Sequence, residues 1–206
     1  MLTPVYSIIL RANAAEGVQG ESRLKDFQVV PETPLVKVKS DNNQFVEVFF
    51  AKVSGADHYV VAMFDYQMNP VSGIDDFGSI PSDHSGHLKF DKNLLHAGKT
   101  YKIAIGAINN GGTSSPRLVD FMVPPAPVVI ENIMDIDGNV AVIWYPSVGS
   151  TRYQVKFFMV KSEETPKETF LTSDLRIVTN LSSQLAYRIE LRAYNSGGYS
   201  SVTTGK

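Results

Sequence analysis

Tyr6, Tyr101 and Tyr187 each open the same pattern in this chain of 206 residues: an apolar residue two and four positions on, alanine at six, then a glycine-bearing turn. The three copies read Tyr6, Ile8, Leu10, Ala12, Gly17; Tyr101, Ile103, Ile105, Ala107, Asn109, Gly111, Gly112; and Tyr187, Ile189, Leu191, Ala193, Asn195, Gly197, Gly198. A second register agrees with the first. Ser22 to Phe27 recurs as Pro116 to Phe121, and Phe50 and Tyr59 recur as Trp144 and Tyr153, all at a shift of 94 residues. A unit that recurs at a fixed spacing must fold as copies of one supersecondary arrangement, which restricts the architecture more than any local propensity does.

Within each unit the apolar residues alternate with polar ones over short runs, the period of a half-buried strand, and helical spacing is missing. The chain is therefore expected to be all-β. Val140, Val142 and Trp144 share one face while Ala141, Ile143 and Tyr145 share the other, and Tyr153, Val155 and Phe157 form the next inward row. Val46, Val48 and Phe50 with Tyr59, Val61 and Met63 repeat this arrangement earlier. Because side chains alternate faces along a strand, two such rows fill the space between two packed sheets. The expected core is Phe50, Tyr59, Tyr101, Trp144, Tyr153, Leu181 and Tyr187.

These residues resemble the fibronectin type III module, a seven-stranded sandwich of the immunoglobulin-like class. The resemblance rests on Trp144 followed nine residues later by Tyr153, on Leu95 and Leu181 each six residues before Tyr101 and Tyr187, and on the Ala, Asn, Gly, Gly run after each tyrosine. It implies that this tyrosine forms a corner, its ring in the core and its hydroxyl on upstream backbone. The implied fold is a tandem of β-sandwiches: a partial module over 1–30 holding the last two strands, a complete one over 31–123, and another over 124–206 with a short last strand. Phe50 stands where the family favours tryptophan. The Tyr59 to Tyr101 interval is 42 residues against 34 for Tyr153 to Tyr187, placing about eight extra residues in the loop around Met68 to Leu88. Proline at 31 and 34, and at 124, 125 and 127, predicts short, semi-rigid joints between modules and a rod-like array.

Composition removes several classes of function. Hydrophobic residues at 43% against 19% charged describe a folded chain, and a net charge of -2 with scattered Lys and Arg gives no overall attraction for nucleic acid. There is no cysteine, hence no disulfide or thiolate chemistry. Val5 to Leu10 lacks the positive flank of a signal peptide and reads better as a strand, and no run reaches the roughly 20 apolar residues of a membrane helix.

No catalytic, cofactor or metal site is expected. His84 and His87 with Asp75, Asp76 and Asp83 lie in the inserted loop without the spacing of a metal motif. The glycines near Asn109 and Asn195 are followed by no lysine and open no helix, so they read as hairpin turns rather than phosphate loops. Tyr66, Phe77, Tyr194, Asn195 and Tyr199 form the candidate interaction surface, since tyrosine carries a large contact area with a polar tip. The resemblance implies a non-enzymatic spacer and interaction protein, expected in a virion (phage tail, fibre or head surface), with a cell-surface adhesion module or an accessory array of a carbohydrate-active enzyme as alternatives. Its expected partners are other protein chains, including neighbouring copies joined by strand addition at the chain ends, and carbohydrate contact stays open. A virion or extracellular setting goes with that reading.

Overall fold

The computed structural model describes residues 5–11, 21–40, 45–71, 79–83, 85–160 and 165–205. The architecture is all-β, with one 3₁₀ turn at Lys92–Leu94. No helix among the described residues is long and apolar enough to cross a membrane. The chain divides into two compact units, one of Met1–Val38, Val48–Leu88 and Lys102–Asp120, the other of Lys39–Glu47, Lys89–Tyr101 and Phe121–Lys206. This division runs through the first complete repeat rather than between repeats.

Strands β1 (Val5–Leu10) and β2 (Arg23–Gln28) form a two-stranded antiparallel sheet. Tyr6 lies opposite Phe27, Ile8 opposite Lys25 and Leu10 opposite Arg23, so the repeat's apolar row occupies one face. Its burial differs from that of the later copies: Tyr6 and Ile8 are each 48% exposed, whereas the matching Tyr101 and Ile103 are 5% and 0% exposed. A period-2 row specifies a face, but burial requires a second sheet, and among the described residues none covers this hairpin.

The first complete repeat contains β3 (Val36–Lys39), β4 (Phe45–Phe50), β5 (His58–Asp65), β6 (Ile80–Pro81), β7 (His87–Asp91), β8 (Thr100–Asn109), β9 (Gly112–Thr113) and β10 (Arg117–Met122). One sheet has the order β3-β4-β7. The other has the order β10-β8-β5-β6, with β9 also on β8. The inward rows of β4 and β5 are buried, and the Phe50 and Tyr59 rings meet with centroids 4.8 Å apart. The Tyr59 hydroxyl accepts from the Val53 amide at 2.8 Å, satisfying a polar group that burial would otherwise penalise. Gly86 is required where β4 turns past the loop before β7: its φ is +74°, and a Cβ there would lie 2.4 Å from the Phe50 carbonyl oxygen.

The last repeat contains β11 (Ile130–Ile136), β12 (Asn139–Trp144), β13 (Arg152–Met159), β14 (Glu168–Thr172), β15 (Arg176–Ser182), β16 (Tyr187–Asn195), β17 (Gly198–Tyr199) and β18 (Thr203–Gly205). A three-stranded sheet, β11-β12-β15, faces a sheet of order β14-β13-β16-β17, with β18 also on β16. Two facing sheets around one core make the sandwich that the resemblance implies. Trp144, 1% exposed, packs edge-on against Tyr153 with ring centroids 5.5 Å apart, amid Val142, Val155, Phe157, Ile189 and Leu191. Leu181 packs against this core while staying partly exposed. Ala141 points to the opposite face yet is fully buried, because it sits on a central strand between Met134 and Val178.

The Tyr101 hydroxyl accepts from the His96 amide at 2.9 Å, which is the tyrosine corner. The last strand is short and broken: β17 pairs with Tyr194 and Asn195, and β18 pairs with Ile189 to Leu191. Replacing Trp144 with Ala leaves a large cavity and is expected to cost roughly 3–5 kcal/mol in chemical denaturation followed by circular dichroism. The neighbouring Tyr145→Ala, on the exposed face, should fall within about 0.5 kcal/mol of the parent chain.

Candidate interaction surface

Antiparallel pairing of β13 with β16 places Arg152 opposite Tyr194 and Gln154 opposite Arg192 on the outer face of the last repeat, and β17 adds Tyr199 beside Tyr194. The two tyrosine rings are 5.8 Å apart. The Arg152 guanidinium lies 5.9 Å from the Tyr194 ring centroid and that of Arg192 lies 4.8 Å from Tyr199, giving an arginine–tyrosine ladder. The Tyr194 hydroxyl donates to Gln154 Oε1 at 3.2 Å. Both tyrosines are partly buried, and their contacts to the arginines and to Gln154 hold them in place, which lowers the entropy lost when such a surface meets a partner.

Asn195 has a different task from its neighbours. Its carboxamide nitrogen donates to the Val123 carbonyl at 2.9 Å and to the Gly149 carbonyl at 3.1 Å, while its Oδ1 accepts from the Gly197 amide at 2.7 Å. Val123 lies just past β10, at the end of the preceding repeat. Asn109 forms the same set one repeat earlier, donating to the Val29 carbonyl at 2.8 Å and the Gly55 carbonyl at 3.0 Å and accepting from the Gly111 amide at 2.8 Å. Both acceptors recur at the shift of 94, from Val29 to Val123 and from Gly55 to Gly149. Each clamp lies within one compact unit. The glycine two residues after each asparagine permits the approach: a Cβ on Gly111 would fall 2.2 Å from the Gln28 carbonyl oxygen, and one on Gly197 would fall 2.0 Å from that of Met122. Ser40 Oγ lies 3.0 Å from the Met122 carbonyl oxygen and 2.8 Å from that of Gly197, so its one proton can be donated to either.

Tyr66 is displayed separately, 63% exposed, on a turn that closes β5. The Asp65 carboxylate holds this turn by accepting from the Asn69 carboxamide and from the amides of Asn69 and Gln67, each at 2.9 Å. These bonds, the Asn69 side chain foremost, depress the Asp65 carboxyl below its ordinary value. Phe77, His84, Asp75 and Asp76 lie outside the described residues. No cluster of three His, Asp or Glu side chains suited to a metal occurs among the described residues. His87 stacks on Phe49 at 4.4 Å.

Two sets of residues in this region carry no obvious signal in the sequence. Arg152 and Arg192 join the tyrosines only through the β13–β16 register. Ser114 and Ser200, both buried, donate or accept within the turn after each asparagine: their hydroxyls accept from the Ala107 and Ala193 amides at 2.9 and 3.1 Å. Their recurrence at the same place in both copies was the available clue.

No protein-family model matches the chain, and no curated protein matches it. Among solved structures, the chain is similar to a two fibronectin type III domain segment from chicken tenascin, at 20% identity over 85% of this chain and 97% of that one, with a TM-score of 0.43. It is also similar to the FN1-FN3 domains of chicken CNTN1, at 15% identity over 97% of this chain and 76% of that one, with a TM-score of 0.45.

Replacing Asn195 with Ala strips donors from two carbonyls and is expected to destabilise the joint by about 1–3 kcal/mol, read as a lower melting transition. Gly197→Ala should do at least as much, through the clash with the Met122 carbonyl. At Asp65, the depressed carboxyl means the turn's stabilisation is present above the ordinary carboxylate range and is lost as pH falls through the lowered value. A carboxyl titration by NMR should place Asp65 below ordinary aspartates, and Asn69→Ala should return it upward.

Proposed function

We propose that this chain is a non-enzymatic spacer and interaction protein built of tandem fibronectin type III-like modules over 31–123 and 124–206, preceded by a partial module over 1–30. The observation that carries this reading is the repeated asparagine clamp. The turn that follows the tyrosine strand is spent twice on the backbone of the preceding repeat instead of on open display. A protein whose task is to hold modules at set spacing gains from such joints. A virion component of a tail, fibre or head surface fits this spacing role, at the level of fold analogy. Strand addition between neighbouring copies suits the same role, with the exposed apolar face of the β1–β2 hairpin as the contributing element.

The arginine–tyrosine ladder favours a second reading, a cell-surface recognition module, because Tyr and Arg dominate the energetics of many protein interfaces. Light scattering on the purified chain across concentrations tests the assembly role. A defined oligomer or growing filament that disappears when residues 1–30 are deleted is the expected result, and a monomer at every concentration would count against it.

A further inference from the structure

On the outer face of the last repeat, β13 and β16 carry a cation on every rung. Arg152 lies opposite Tyr194, Arg192 opposite Gln154, Lys156 opposite Glu190 and Arg188 opposite Phe158, so the positive side chains alternate between the two strands. The flanking strands add neutral partners, Leu171 and Thr169 from β14 and Thr204 from β18. Glu190 is the one carboxylate among the described strand residues of this face, and it pairs with Arg188 at 2.7 Å. Arg152, Lys156 and Arg192, exposed or half-buried, make no ion pair among the described residues. Four cations thus share a face with one carboxylate, in a chain whose net charge is -2.

The preceding repeat shows that the sandwich does not require these charges. At the corresponding positions, 94 residues earlier on β5 and 86 earlier on β8, His58, Ala62, Gly106 and Lys102 stand in place of Arg152, Lys156, Arg192 and Arg188. Backbone pairing supports the correspondence: the Asp57 amide donates to the Ile108 carbonyl at 2.8 Å, as the Thr151 amide donates to that of Tyr194 at 2.7 Å. Lys102 is neutralised by Asp120 at 2.6 Å. The same strands therefore pair with or without a cationic track, and the track needs a reason other than folding.

Two features select the partner. Rungs on one face of a sheet repeat about every 6.8 Å along the strands, which is also the spacing of alternate side chains in an extended polypeptide. The guanidiniums of Arg152, Arg192 and Arg188 lie over the rings of Tyr194, Tyr199 and Phe158, the last at 4.5 Å. Rings covered in this way are closed to a stacking nucleobase, while the guanidinium edges keep the paired N–H groups that match a planar carboxylate. We propose that this face is a docking track for an extended acidic segment of another polypeptide, whose Asp or Glu side chains at alternate positions meet Arg152, Arg192 and Lys156 in turn. The inference rests on the reading of this chain as an interaction protein and names the chemistry of its partner.

The test uses fluorescence anisotropy with the full chain and a dye-labelled decapeptide of alternating Glu and Thr. Saturable binding that weakens with added salt is expected, with weaker binding of an isomeric peptide whose glutamates stand in one block. Combining Arg152→Gln, Lys156→Gln and Arg192→Gln should weaken it about tenfold or more. Arg192→Lys, which keeps the charge and loses the fork, should fall between, and Lys102→Gln in the preceding repeat should leave binding unchanged. Circular dichroism on each variant verifies that it remains folded. No saturation by about 1 mM peptide, equal binding of the two isomers, or binding indifferent to the triple variant would overturn the proposal. Saturable binding of dextran sulfate or oligothymidylate that the peptide does not share would overturn it in favour of another polyanion. A chain that binds the peptide yet stays monomeric at every concentration keeps the track and loses the assembly role, and one that assembles without binding the peptide does the reverse.

Discussion

A single carboxamide at each joint links neighbouring repeats of this chain. Asn109 and Asn195 each donate twice to backbone carbonyls, one at the end of the preceding repeat and one in their own repeat, and each accepts an amide from their own turn. A carboxamide suits this position because it carries both donors and an acceptor, whereas a carboxylate there would set charge against two carbonyl oxygens. The glycine two residues on has no freedom to become anything larger, since the neighbouring carbonyl occupies the place of its Cβ. Joint and turn are therefore specified together.

Inside the repeats, packing follows from pairing. The same row of tyrosine and two aliphatic residues is buried in β8 and β16 and exposed in β1, although the sequence pattern hardly differs. What differs is the presence of a facing sheet.

The aromatic core was legible in the sequence because its determinants are local and periodic. Alternation assigns Val142, Trp144, Val155 and Phe157 to one space, and two copies of the spacing reinforce each other. Leu181 is less enclosed than its spacing suggests, since spacing gives a residue's face and not its distance from the sheet edge. In the sequence both asparagines read as turn residues, because an asparagine before glycine is expected in a hairpin for conformational reasons alone, and Asn195 reads also as part of the candidate interaction surface. Their partners lie 80 and 72 residues away, and nothing in a local pattern points that far. The arginines beside Tyr194 and Tyr199 depend on cross-strand register, which alternation does not fix.

The account stands or falls on whether those carboxamides hold the preceding repeat in solution. The most direct measurement is the NMR coupling transmitted through a hydrogen bond, from Asn195 Nδ2 to the Val123 carbonyl carbon and from Asn109 Nδ2 to that of Val29. Both couplings should be present, with side-chain amide protons that exchange slowly. Freely rotating carboxamides with no coupling at either joint would contradict the account.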